Sequence, residues 1–401
     1  MRSVKQSNSY TLAPRWVGRL RVLDAIRLRE PIARIDIASA TGMSPATVTA
    51  ITAELLEAGM IAPENDEHKS GDGKRGRPRA RLRLHPSAAT VAGVKVGAHS
   101  ITVLLTDFTG TDIGHSEHQL AHRQNGPEVL CEEIVTALRS ACEAHSIPEA
   151  SLAGAVIGIA GYIDGATGFV HWSSSLDERG IDFAGLLQSH TPYPVFIEND
   201  VNLVAKAEHL FGLGKELNSF LVATVEHGIG LGIVLDGVLH RGARGCGAEF
   251  GHTKITPGGP QCQCGQRGCL EAYAGEYAIV RRANEIAGES AFDSFVGVVQ
   301  AARQNNKAAR VAIGEAQESF AMGLANLVNL FDPEEIIIAS QIGADHPLCA
   351  SSVLDQVRRM VVQVDTPMPQ LRVHGWDDLM WARGAAAQAL EEIAILKLKA
   401  I

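Results

Sequence analysis

Between Gly245 and Gly275 the chain reads GCGAEFGHTKITPGGPQCQCGQRGCLEAYAG, and no other stretch constrains its folding so tightly. Cys262, Cys264 and Cys269 form a C-x-C-x4-C array, with His252 ten residues upstream. Three thiolates and one imidazole are the donor set of a closed tetrahedral Zn(2+) site, and four protein ligands leave no open position for activating water. The metal expected here is therefore structural. A disulfide is the competing reading, but three clustered cysteines leave one unpaired, and nothing else suggests secretion. Glu249 and Glu271 flank the array and would be carried by the same knot.

At 401 residues the chain exceeds one typical core, so two or three domains are expected. Hydrophobic residues at 46% and charged residues at 20% suit a globular protein and argue against disorder. There is no apolar run of membrane-spanning length, and the start, MRSVKQSNSYTLAPRW, lacks an apolar signal core. A cytoplasmic location follows as the expectation. Cys131, Cys142, Cys246 and Cys349 then read as small buried apolar residues. Charge is uneven: residues 1–85 hold fifteen Lys and Arg against nine Asp and Glu, a net of +6 in a chain totalling −9, which leaves −15 for the rest. A basic first fifth on an acidic body suggests a polyanion-binding module.

Residues 16–29 place Val17, Leu20, Leu23, Ile26 and Leu28 near one helical face, and Pro31 ends that helix. A second helix, 34–40, stops at Thr41-Gly42. Ser44-Pro45 reads as N-cap and N1 proline of a third helix, 46–58, closed by Gly59. This is a helix-turn-helix pattern. On the third helix Val48, Ile51, Leu55 and Leu56 turn inward. Ser44, Ala46, Thr47, Thr49 and Ala50 leave a small uncharged face able to enter the major groove of double-stranded DNA. Met60-Ile61 and residues 82–84 can pair as wing strands. Between them, residues 71–83 carry Lys74, Arg75, Arg77, Arg79, Arg81 and Arg83. Arg75-Gly76-Arg77-Pro78 has the form of a minor-groove arm, with a solvated linker as the alternative.

From Ala88 the pattern changes to strands alternating with helices. A hairpin is expected over 91–107, turning at 97–100, then a helix at 127–144 and strands at 154–159 and 194–198. Next come a helix at 201–211, strands at 219–225 and 232–235, and helices at 276–287, 291–303 and 307–330. A strand at 336–339 and a final helix at 378–395 end the chain. The order indicates a two-lobed α/β body with mixed sheets.

With these residues in place, the chain resembles the ROK family (repressors, open reading frames, kinases), in the repressor branch that answers to xylose, N-acetylglucosamine or glucose. The resemblance covers essentially the whole length. It rests on Glu249-Phe250-Gly251-His252, on Cys262-Gln263-Cys264-Gly265 through Gly268-Cys269-Leu270-Glu271, on Asn199-Asp200 and on the helix-turn-helix. It implies a winged helix-turn-helix at 1–85 and an actin-like two-lobed ATPase body closing over a sugar. The first lobe would span 86–200, completed by the C-terminal helix at 378–401, and the second 201–377 with the zinc knot. By match to the family's sugar kinases, Asn199, Asp200, Glu249, His252 and Glu271 would bind sugar hydroxyls. His252 would hold zinc through one nitrogen and a hydroxyl through the other.

The nucleotide half departs from the kinases. Their D-x-G-G-T reads Lys95-Val96-Gly97-Ala98-His99 here, so the carboxylate that helps hold Mg²⁺ has become lysine. Their second phosphate loop, G-T-G, reads Glu226-His227-Gly228, and a late glycine cluster reads Ala339-Ser340-Gln341. Phosphoryl transfer needs metal and backbone donors around the triphosphate, so no kinase activity is expected. Ser173-Ser174-Ser175 stands where many members have a sugar-contacting Asn. Asp200, the kinases' general base, remains useful as a hydroxyl acceptor. The resulting expectation is a repressor that reads an operator as a homodimer or homotetramer and responds to a sugar, amino-sugar or sugar phosphate. A sugar kinase with a DNA-binding head and a regulator governed by a protein partner are the alternatives.

Overall fold

The computed structural model describes residues 15–64, 81–288, 290–362, 365, 367–377 and 379–401. Arg75, Arg77 and Arg79 lie outside the described residues. The head begins with α1 (Arg15–Arg29), which buries Val22, Leu23 and Ile26. A short strand, β1 (Ile32–Ala33), precedes α2 (Arg34–Thr41) and α3 (Pro45–Glu57). Gly42 ends α2 at φ 67°, a left-handed C-cap that turns the chain sharply into Ser44. Ser44 caps α3 by accepting from the Thr47 N–H at 3.1 Å, with Pro45 at the first helical position. The wing pairs β2 (Ile61–Pro63) with β3 (Arg81–Leu84), and β1 adds on the other side of β3.

The body starts with β4 (Thr90–Val96), β5 (Ser100–Asp107), β6 (Asp112–Gln119) and α4 (Pro127–Ala144). Then follow β7 (Leu152–Ile159), the small antiparallel group β8 (Gly161–Asp164), β9 (Phe169–Ser173) and β10 (Ile181–Asp182), α5 (Phe183–Gln188) and β11 (Val195–Asn199). The first large sheet has the order β11-β7-β4-β5-β6, with β11, β7 and β4 parallel and the rest antiparallel. Helix α6 (Asp200–Leu210) leads to β12 (Phe220–Val225), β13 (Ile229–Leu235) and β14 (Val238–Leu239). After the cysteine segment come α7 (Glu271–Ala274), α8 (Glu276–Ala287), α9 (Phe295–Arg303), α10 (Lys307–Phe331), β15 (Glu335–Ser340), α11 (Ser351–Met360), β16 (Gln370–Gly375) and α12 (Met380–Ala400). The second large sheet, β16-β15-β12-β13-β14, repeats the order and orientation of the first.

Helix α12 ties the parts together, packing on α6, β4, β7 and α1. Its approach to β4 is close: a Cβ on Gly93 would stand 2.1 Å from the Ala382 carbonyl oxygen and 2.3 Å from the Ala386 nitrogen, so only glycine fits. One apolar cluster runs from Leu23, Ile26 and Leu55 of the head into Val91, Phe108, Leu203, Leu390 and Ile393 of the body. The head is thus docked on the body through a shared core, to which burial contributes in proportion to the apolar area removed from water. No helix among the described residues is long and apolar enough to cross a membrane.

Candidate functional site

Strand β11 ends at Asn199 and α6 begins at Asp200, so both residues sit where the first sheet opens toward the second. Asn199 is the N-cap: its Oδ1 accepts from the N–H of Val201 (2.9 Å) and Asn202 (3.2 Å), and its Nδ2 donates to Gly161 O at 3.0 Å. Asp200 accepts from the Val201 N–H at 3.0 Å in the first helical turn. Burial raises its carboxyl pKa, with Val201 and then Lys95 opposing the rise. Beneath them the buried Glu198 accepts from the Asn199 N–H (3.0 Å) and the Asn202 amide (2.9 Å), and pairs with Arg241 at 2.6 Å. A buried carboxylate needs such partners, and this one fixes the turn that presents Asn199 and Asp200.

The opposite wall comes from the cysteine-rich segment. Ala248 at φ 67° leads into Glu249 and a single 3-10 turn, Phe250–His252, with Phe250 buried in the second lobe's core. A Cβ on Gly251 would stand 2.2 Å from the Ile229 carbonyl oxygen, so glycine is what lets this turn lie against β13. Burial pushes the Glu249 carboxyl up to about 7, helped by Asp200 and then Glu271. Glu271 opens α7 and accepts from the Tyr277 hydroxyl at 3.2 Å. All five residues expected at a ligand, Asn199, Asp200, Glu249, His252 and Glu271, line one cavity of about 510 Å³.

His252 faces two ways. Its Nε2 lies 3.9 Å from Glu249 in the cavity, and its Nδ1 lies 3.6 Å from Cys262 Sγ. The donor atoms of His252, Cys262, Cys264 and Cys269 all lie within 4.8 Å of one another. Cys264 and Cys269 are 3.8 Å apart sulfur to sulfur, and neither is in a disulfide. Metal–sulfur bonds of about 2.3 Å at a tetrahedral centre imply sulfur edges of about 3.8 Å and sulfur–nitrogen edges of about 3.6 Å. The two measured separations match those edges. Burial, and then the Glu271 charge, push the Cys262 thiol up to about 12, a cost that a cation among the sulfurs reverses. Lys254 donates to Cys269 Sγ at 2.9 Å and offsets part of the negative charge. The cluster can hold a metal ion.

Several lining residues were not singled out as contacts by the sequence reading. Tyr162 and Trp172, on the β8–β9 hairpin, pack at 5.9 Å between centroids and form an aromatic wall, with Tyr162 also 6.0 Å from the His252 ring. Outside the lining, the supporting Glu198 was findable as an acid inside an otherwise apolar strand; its partner Arg241 carries no local signal. Ser174 and Ser175 line the cavity, whereas Ser173 is buried and donates to Ala160 O at 2.7 Å. Lys95 also reaches the lining, its ammonium 3.9 Å above the Trp381 ring. Glu226 accepts from the Gln341 N–H at 2.7 Å, joining the segment after β12 to the one after β15. Cys131, Cys142 and Cys349 are buried as expected, but Cys246 is half-buried, because it sits in a glycine-rich loop and not on a packed element.

On the head, Ser44, Ala46, Thr47, Thr49 and Ala50 are all exposed, and Val48 and Leu55 fully buried. Thr49 spends its hydroxyl on Pro45 O at 2.8 Å. Arg15 and Arg21 border the same groove beside Ser44 and Thr47. Arg15 pairs with Glu54, and Arg21 donates to Thr41 O at 2.6 Å.

Comparison with known proteins agrees with this architecture. The xylose repressor of Bacillus spizizenii is 29% identical over 345 residues, covering 86% of this chain and 87% of its own. A crystal structure of a ROK family transcriptional regulator, homolog of the E. coli MLC protein, aligns with TM-score 0.79 and 24% identity, covering 96% of this chain and 98% of that one. A ROK family glucokinase from Streptomyces griseus, solved with glucose and AMPPNP, aligns with TM-score 0.63 and 28% identity over 75% of this chain and 99% of its own. The body is therefore the family's two-lobed α/β fold, and the regulator's match extends further along this chain than the kinase's. With the ROK family pattern matched across residues 91–392, this chain belongs to the ROK family.

Proposed function

We propose that this protein is a sugar-responsive, DNA-binding transcriptional regulator, a repressor whose operator binding changes when a sugar or amino-sugar occupies the cleft. The observation that carries the reading is a mismatch inside that cleft. Asn199, Asp200, Glu249, His252 and Glu271, which match the sugar contacts of the family's kinases, line one cavity together with Lys95 and Glu226, which by the same match replace a metal-binding carboxylate and part of a phosphate loop. Losing metal and phosphate donors removes the means of phosphoryl transfer without touching the groups that would meet hydroxyls. The B. spizizenii relative, named a xylose repressor, supports the same reading.

Residues 1–85 are the DNA-binding unit, 86–200 with α12 the first lobe, and 201–377 the second. Ser44, Ala46, Thr47 and Thr49 face the major groove, and Arg75, Arg77 and Arg79 reach the minor groove. His252, Cys262, Cys264 and Cys269 hold a structural Zn²⁺, which supplies rigidity and fixes the His252 ring so that its other nitrogen meets a hydroxyl. Helix α6 starts at Asp200 and packs on α12, and α12 carries α1 of the head. Lys206 on α6 pairs with Glu391 on α12, and both charges act on Asp24 of α1. Closure of the lobes over a ligand thereby changes the spacing of two heads in a dimer. A ligand shifts that balance only by its differential affinity for the two states.

The test is retention of genomic DNA fragments by purified protein across a panel of sugars. A selected fragment set whose retention changes with one sugar is expected. Retention indifferent to every sugar would defeat the effector half, and no retention at all would reopen the kinase reading.

A further inference from the structure

The two ends of α12 lie in different functional places. Trp381, in its first turn, lines the cleft cavity. Leu398, in its last turn, belongs to the apolar core shared with the head. They are seventeen positions apart, which a helical rise of about 1.5 Å per residue converts to about 26 Å. The last carbonyls of a helix find no donor within it and carry partial negative charge. Arg19 of α1 supplies a donor here, its Nη1 reaching Leu398 O at 3.3 Å. The same guanidinium donates through Nε to Glu54 Oε2 of α3 at 2.8 Å, from a side chain only 6% exposed. One buried arginine thus touches the end of the body's last helix and the helix expected to read DNA. A second tie joins the same ends: the Lys399 ammonium stands 5.2 Å from the centre of the Trp16 ring.

Glu54 is well placed to move α3 as a unit. It follows Thr47 by seven residues, and positions i and i+7 share a helical face. Ser44, Thr47, Ala50, Ile51 and Glu54 accordingly border one groove. None of α3 lines the cleft, so a ligand there reaches this face only through other elements. Arg15, largely exposed, pairs with Glu54 from the solvent side and touches nothing of α12 among its printed bonds with the described residues.

We propose that Arg19 is a positioning residue for DNA binding, tying α3 through Glu54 to the Leu398 carbonyl, so that the place of the DNA-reading helix follows the end of α12. This assignment rests on the effector reading above and names the contact at which the head senses the body. The bond to Glu54 is charge-assisted and the shorter of the two, so Arg19 moves with α3. The bond to Leu398 O is longer and its acceptor is neutral. A buried guanidinium that lost this acceptor would keep an unsatisfied donor, so a shift of α12 draws α1 and α3 after it. Apolar side chains of the shared core tolerate sliding, whereas a hydrogen bond weakens steeply with misalignment. The polar link therefore sets the register between head and body, on the scale of the roughly 1–2 Å helix shifts seen in such transitions.

The experiment measures the affinity of the full-length protein for a retained genomic fragment, with and without xylose, glucose, N-acetylglucosamine or the 6-phosphates of the last two. Wild type, Arg19→Met and Glu54→Ala are compared. Arg19→Met keeps the packing of the stem and removes every donor; Glu54→Ala removes only the α3 end of the link. In wild type one sugar is expected to change DNA affinity by a factor of about 5 to 150. In both variants that factor should fall to within about twofold of one, while calorimetric affinity for the sugar in the absence of DNA stays at the wild-type value. A merely structural loss would lower the sugar affinity as well. The double variant should uncouple no further than either single one, because the two residues act through one bond. A wild-type factor in Glu54→Ala overturns the link, whether or not Arg19→Met folds, and leaves the effector reading standing. No effect of any sugar on wild type overturns both.

Discussion

The β4–β5 and β12–β13 hairpins occupy matching places in two sheets of the same strand order, yet they bring opposite charges to the cleft. Lys95 ends one, over the Trp381 ring; Glu226 follows β12 in the other, bonded to the Gln341 N–H. The walls behind them are also held differently. The first wall is fixed by helix-on-sheet packing, with Gly93 of β4 in backbone contact with α12 and Glu198 bracing Asn199. The second hangs on a loop held by four metal-type donors, by Phe250 and Leu270 in the core behind it, and by backbone bonds within the loop such as Ile255 N–H to Gly268 O at 2.9 Å. One architecture, used twice, supports two separate chemistries because each loop answers to local side chains and not to the sheet beneath it.

Removing the knot should separate the two walls most strongly. Cys264→Ser, or chelation of the wild type, is expected to destabilise the second lobe by on the order of 5 kcal/mol and abolish sugar binding. Hydrogen exchange in β4 and β7 should stay slow; equal loss of protection in both sheets would show that the lobes do not differ in this way. Gly93→Val attacks the first wall. A Cβ there meets backbone of α12, so a loss of about 3 kcal/mol is expected by thermal melting, with metal content unchanged. A near-neutral result would mean α12 can slide, and the packing account of that wall would fail.

A smaller effect concerns Glu276, behind the second wall, whose carboxyl is pushed up to about 7 by burial and then by Glu226. A carboxyl with a raised folded-state pKa costs no stability below about pH 4.5 and its full penalty above about pH 7. Glu276→Gln should therefore stabilise the protein by about 2 kcal/mol at pH 8 and by little at pH 4.5. Melting curves at the two pH values check this, and a gain confined to low pH would reverse the assignment.

Much of this was legible in the sequence, for identifiable reasons. Proline and glycine punctuation located α2, the turn and α3 to within a residue or two, and the apolar runs gave β4, β5, β7 and β12. The cysteine spacing marked the knot, since ligand geometry leaves a local signature. Edge strands were missed: β6, DIGHSEHQ, is mostly exposed and has no apolar alternation, and β16 pairs on one side only. Helix α11 escaped because only Val353 and Val357 bury. Helix α9 was placed four residues too early, as its cap is Ser294, which accepts from the Gly297 N–H at 3.2 Å. Lys95 could be read as the loss of a carboxylate, but its ring partner, Trp381, lies near the other end of the chain, and no local pattern joins them.

The most direct test of a cleft coupled to the head is a reciprocal titration. Operator affinity is measured with and without saturating sugar, and sugar affinity with and without saturating operator. Coupling through α6, α12 and α1 requires both affinities to change by the same factor, and factors of about 5 to 150 are typical of such coupling. A factor of one on both sides, with each ligand bound tightly, would contradict it: the cleft and the head would then be independent sites on one chain.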